Sequence, residues 1–203
     1  MIYVIYDTDG LLATTEPTLW KTCYSQLRYA VKVSGAKLIT VQNDMNAVRS
    51  HTALYNNILS GIKSVPSTSS IYLAEHDVLY PPFYFQRKAE HPIEYNSNSY
   101  LLSKESYFDN PCKTLSNCRG QSDFLHDAIL QKHEESTAGN LVWAEPYNDK
   151  APNFRSHIPT IDIRHSRNFT SGQSLKGQRQ NIPQWRDSIA LTNQLGLNPT
   201  HKE

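Results

Sequence analysis

Apolar positions along the chain come in short bursts, and their spacing switches between a period near two and a period near 3.6. Ile2–Tyr6 is an unbroken apolar and aromatic run closed by Asp7-Thr8-Asp9-Gly10. It predicts a buried first strand. Pro17 can open a helix, because the first turn has no use for the N–H that proline lacks. Leu19, Cys23, Leu27 and Ala30 then share one face of a helix over Leu19–Val33. Lys37–Val41 predicts the next strand, and Gln42-Asn43-Asp44 the turn after it. Ala47–Ile62 returns to helical spacing, with Leu54, Ile58, Leu59 and Ile62 inward and Gly61 weakening the last turn. Ile71–Ala74 predicts a third buried strand that runs straight into Glu75-His76-Asp77, before Pro81-Pro82 imposes extended or turn geometry.

Strand, helix, strand, helix, strand predicts an α/β fold with a mostly parallel sheet and helices on both faces. Ligands in such sheets bind beyond the carboxyl ends of the strands. Asp7/Asp9 and Glu75/Asp77 both fall at those ends. After Pro82 the pattern changes. Ile93–Leu102 alternates and predicts a strand pair or an extended segment, Ser122–Gln131 a short helix, and Thr160–Arg164 a strand ending at His165. From Ser166 the chain is polar, with Gly172 and Gly177, and a last helix is expected over Arg186–Leu195. Neither an internal repeat nor a linker interrupts the 203 residues, which suits a single domain.

Composition narrows the classes. Hydrophobic residues at 38% and charged residues at 19% exclude a disordered or fibrous chain. Net charge is only +1, yet residues 151–186 hold six basic side chains (Arg155, Arg164, Arg167, Lys176, Arg179, Arg186) against Asp162 alone. That face suits a diphosphate, a nucleic-acid backbone or simply water. Twelve Tyr and three Trp add stacking surfaces. The three cysteines are odd in number and form no CxxC pair, so reduced thiols in a cytoplasm (a host's, for a viral protein) are expected. No run approaches the ~18 apolar residues of a membrane span.

Two constellations can carry chemistry. Glu75 and Asp77, at a strand end, suit a hard cation such as Mg²⁺ or Mn²⁺ with room for phosphate oxygens. Strict alternation turns His76 the other way, toward a structural role. His165 closes a second strand, beside Arg164 and Arg167. An imidazole there can complete a metal site or serve as an ordinary hydrogen-bonded histidine.

The stretch LYNNILSGIKSVPSTSSIYLAEHDVLYPPFYF, followed by IEYNSNSYLL and PTIDIRHSRNFTSG, resembles small glycosyltransferases of the GT-A fold, family 2-like members included. The resemblance implies a nucleotide-sugar donor, UDP-linked, bound across a single domain. Residues 1–80 would form its nucleotide-sugar half, and residues 81–203 would complete the metal and acceptor side. It implies a divalent metal (Mn²⁺ or Mg²⁺) on Glu75 and Asp77 with His165 joining, and base and ribose contacts from Tyr6, Asp7 and Thr8. Arg164 and Arg167 would lie near the diphosphate. Glu75 stands where the wider fold commonly has Asp, which bears on metal preference. For an inverting enzyme the resemblance implies a carboxylate base near a helix start, Asp123 ahead of Asp127, although the helix dipole alone also favours Asp there. Size and the basic stretch point toward a polyanionic acceptor such as DNA carrying hydroxymethylated pyrimidines, as in bacteriophage DNA-modifying glycosyltransferases.

Two rivals share these residues. VIYDTDGLL resembles the first motif of haloacid-dehalogenase-type phosphatases, with Asp7 as nucleophile, Asp9 as acid/base and Thr40 as a second motif. A binding protein that keeps the glycosyltransferase fold without turnover is the other.

Overall fold

A computed structural model describes residues 1–8, 10–42, 50–103, 105–110, 112–141, 144–146, 150–165, 176–185 and 187–197. β1 (Ile2–Thr8) is central, with β2 (Lys37–Gln42) and β3 (Ser70–Glu75) hydrogen-bonded to it in parallel on either side. Asp7 stands opposite Val41 on one neighbour and Glu75 on the other, so the three carboxyl ends form one edge. Side-chain alternation feeds two cores. Val4, Tyr6, Tyr72 and Ala74 meet Leu27, Ala30 and Val31 of α2 (Pro17–Ser34). Ile5, Ile71 and Leu73 meet α3 (His51–Lys63) and α4 (Ser122–Thr137) on the other face.

Local chemistry sets the helix ends. Pro17 sits in the first turn of α2, and Gly35 closes that helix in the left-handed region at φ 68°. The Ser50 hydroxyl caps α3 by accepting from the Ala53 N–H at 3.1 Å. Gly61 is where α3 approaches β1 and β2: a Cβ there would lie 2.8 Å from Ile5 Cγ2 and 3.2 Å from Val41 Cγ1. Its role is thus close approach, beyond the weakened last turn expected from sequence.

The first sheet continues through antiparallel β8 (Cys118–Gln121) and β5 (Ile93–Asn96) to β9 (Asn153–Phe154), in the order β2-β1-β3-β8-β5-β9. A second sheet, order β11-β7-β6-β10-β4, contains β4 (Val78–Leu79), β6 (Ser99–Ser103), β7 (Ser106–Asp109), β10 (Thr160–Ile163) and β11 (Lys176–Arg179). Its core joins Leu79, Leu102, Ile161 and Ile163 to Leu19 and Cys23 of α2 and to Leu191 and Leu195 of α5 (Ser188–Leu195). α2 therefore packs its first half on one sheet and its second half on the other.

The segment IEYNSNSYLL divides between the sheets. The Asn96 Oδ1 accepts from the Asn98 and Ser156 N–H groups, each at 3.0 Å, and the Asn98 Nδ2 donates to the Ser156 carbonyl at 2.9 Å. Those side chains satisfy the backbone where the chain leaves β5 for β6. α4 runs on to Thr137, past the end expected at Gln131, and α1 (Gly10–Thr15) forms where no element was expected between the first strand and Pro17. Among the described residues, no helix is long and apolar enough to cross a membrane.

Candidate metal centre

β3 and β4 lie in different sheets, and only His76 and Asp77 join them. A tight turn at these two residues cancels the alternation of the strand. The Tyr80 hydroxyl braces it, accepting from the Glu75 N–H at 3.2 Å and donating to the Ser116 carbonyl at 2.9 Å. The Ile163 N–H donates to the Asp77 carbonyl at 2.9 Å, and the Arg164 N–H to the Leu102 carbonyl at 2.9 Å. β10 thereby delivers His165 beside Asp77, with Nε2 3.3 Å from Oδ2. One ligand atom from each of His76, Asp77 and His165 lies within 4.8 Å of the other two. The imidazoles meet edge to face, with centroids 6.2 Å apart at 67°. His76 is fully buried, Asp77 nearly so, and the His165 side chain is fully buried.

Two further carboxyl groups face this cluster. Glu16 Oε1 lies 3.7 Å from His165 Nδ1 on the side away from Asp77. Burial raises the Asp162 carboxyl to about 7, the negative charge of Asp77 pushing the same way and Arg164 and His165 opposing. Such a crowd of buried and part-buried acids and imidazoles is the environment a divalent cation relieves.

Beside it, at the end of β1, the Asp7 carboxylate is 3% exposed and accepts from Asn57 Nδ2 at 3.0 Å. Trp20 Nε1 donates to Thr8 Oγ1 at 3.3 Å, and the Trp20 ring stacks on Tyr24, which stacks on Tyr6. Burial pushes the Tyr6 hydroxyl far above the usual phenol range, so it stays protonated.

The structure thus gathers Asp77, His165 and Arg164 at one edge with Tyr6, Asp7 and Thr8. Glu75 stands one residue before the cluster and outside it, opposite Asp7 in the sheet. His76, expected to turn away, is inside it. Asp9 and Arg167 lie outside the described residues. Asp123 and Asp127 are not brought to this edge. β8 runs antiparallel to β3, Gln121 faces Ser70, and the Ser122 N–H donates to the Ser69 carbonyl at 2.9 Å, so α4 begins where β3 begins. Six residues of strand, about 17 Å, separate that point from Glu75. Asp127 is also 80% exposed, beside His126. Thr40 is exposed on the outermost strand, and the buried Asp7 carboxylate accepts from Asn57 Nδ2 at 3.0 Å. Of the basic stretch, Arg179 pairs with Asp109 at 3.4 Å and lies over the Tyr100 ring, while Arg186 lies outside the described residues.

No family model matches the chain, and neither does any curated protein. Among solved structures it is similar to a glycosyltransferase involved in the glycosylation of the major capsid of PBCV-1. The TM-score is 0.50 and the sequence identity 8%, with 76% of this chain and 82% of that chain covered. The α/β, Rossmann-related fold built above is therefore one that a glycosyltransferase also uses.

Proposed function

We propose that the chain transfers a sugar from a nucleotide-sugar donor to an acceptor hydroxyl, with a divalent ion held by His76, Asp77 and His165. The convergence of those three buried side chains at the carboxyl edge of β1 and β3 carries the reading. That edge is where ligands of open α/β sheets bind.

The donor set fits an ion: two imidazoles and one carboxylate converge, and the Asp162 carboxyl group lies near Asp77 and His165. When bound, the ion supplies Lewis-acid stabilisation of the departing diphosphate. Arg164 adds a fixed positive charge on the same side. Tyr6, Asp7 and Thr8, all buried, form the floor beneath the nucleoside, and the Trp20 indole holds the Thr8 hydroxyl in place. With α4 beginning at the opposite edge, Asp123 and Asp127 have no part in this assignment.

The test is a panel of nucleotide sugars, UDP-linked ones included, incubated with the protein, Mn²⁺ and no acceptor. Slow hydrolysis of one donor, abolished by chelator and restored by metal, is expected. Turnover of a generic phosphomonoester with no donor hydrolysis would instead favour the phosphatase reading. The solved neighbour acts in glycosylation of a capsid. For this chain, DNA with hydroxymethylated pyrimidines is retained as the acceptor to try first, on the charge of residues 151–186.

A further inference from the structure

We infer that this centre takes the first-row divalent ions of borderline softness (Co²⁺ and Zn²⁺), ahead of the harder Mn²⁺, in preference to Mg²⁺ or Ca²⁺, and that Glu16 is the positioning residue that sets His165 for it. The inference rests on the metal-dependent reading above and concerns which ion the protein selects and what fixes its ligand.

Mg²⁺ and Ca²⁺ are hard ions that take oxygen ligands. Here two of the three converging groups offer nitrogen, because the turn at 76–77 brings His76 in beside Asp77 while Glu75 stays out. Imidazole suits the later first-row ions, and affinity at such a site rises from Mn²⁺ toward Zn²⁺. Selection against the hard ions is thus written in the turn between the two sheets.

A neutral imidazole offers a single lone pair, and the group facing its other nitrogen decides which one. Nδ1 of His165 faces Glu16 Oε1 across 3.7 Å, and Nε2 faces Asp77 Oδ2 at 3.3 Å. With an ion in the cluster, the Nε2 lone pair would face it and the ring proton would sit on Nδ1, toward a Glu16 carboxylate that at 3.7 Å is within ion-pair reach and beyond a direct hydrogen bond. Glu16 is itself fixed by its backbone: its N–H donates to the Leu12 carbonyl at 2.9 Å, and its carbonyl accepts from the Trp20 N–H at 3.0 Å. Its side chain is 21% exposed, mostly covered where it faces His165. With an ion bound, this would form a carboxylate–histidine–metal arrangement whose carboxylate comes from the residue before α2.

The test uses the metal-stripped 203-residue chain titrated with Co²⁺ and followed by visible d–d absorption. Mn²⁺, Zn²⁺, Mg²⁺ and Ca²⁺ then compete. Zn²⁺ should displace Co²⁺, and Mg²⁺ or Ca²⁺ in large excess should not. The Co²⁺ spectrum should be lost in His165→Ala and in His76→Ala, with His76→Gln as a second variant should the alanine protein fail to fold. It should persist in His126→Ala. Glu16→Ala should weaken Co²⁺ binding about 10- to 100-fold with an unchanged melting temperature of the metal-free protein, and Glu16→Gln should recover most of the loss. Displacement by Mg²⁺ at comparable concentration would overturn the ion preference and leave metal-dependent transfer standing. Wild-type affinity in Glu16→Ala would overturn the positioning role alone. Absence of any metal binding would remove the inference together with the reading beneath it.

Discussion

Arg119 shows what a single buried charge demands. Its Nε donates to Glu94 Oε1 at 3.0 Å, its Nη1 to the Tyr72 hydroxyl at 2.8 Å, and its guanidinium lies 3.8 Å from the Phe154 ring centroid. Arg119 and Glu94 are 3% and 2% exposed. Glu94→Ala strands the cation in the core, and denaturant melts should show a loss of about 3–5 kcal/mol. Arg119→Met, which removes the charge and keeps the stem, should cost clearly less after Glu94→Ala than alone, because the pair acts as a unit. Equal costs in the two backgrounds would mean the pair is not coupled. At this scale the sequence spoke unevenly. Asp77 and His165 were legible because each follows an apolar strand. His76 was hidden because alternation sends neighbours to opposite faces, and only a turn at 76–77 reverses that. Glu16 was hidden because its partner lies far along the chain.

Among elements, α3 sits close to the sheet only because position 61 lacks a side chain. Gly61→Val should cost about 1–3 kcal/mol by pushing on Ile5 and Val41. An unchanged denaturation midpoint would show that α3 can move off the sheet at no cost. The first half of the chain was readable element by element, since long helices and buried strands carry strong periodicity. The second half was not. β4 and β9 are two residues each, and β5 and β6 adjoin in sequence yet join different sheets, a division made by Asn96 and Asn98. The sense of β8 mattered most, for it places α4 and Asp123 at the edge opposite Asp77. Donor turnover in Asp123→Asn should therefore match wild type, and a collapse of turnover with the fold intact would return that residue to the chemistry.

For the whole molecule, two sheets meet at one turn and α2 spans both, so the candidate centre sits at their junction. The expected polyanion surface is less free than composition alone implied, since Arg179 already pairs with Asp109. If DNA is the acceptor, gel-shift affinity should fall with salt at a log–log slope near −0.9 per phosphate contact, and Arg155→Ala should flatten it. Salt-insensitive binding, or none at low salt, would remove DNA. The most direct test of the central claim is release of nucleoside diphosphate from the donor that the wild type hydrolyses, repeated with Asp77→Asn after both proteins are stripped and resupplied with Mn²⁺. Wild-type release should disappear on stripping and return with the ion, while Asp77→Asn should stay inactive under both conditions and melt like wild type. Release that survives stripping, or that Asp77→Asn performs as well as wild type, would contradict it.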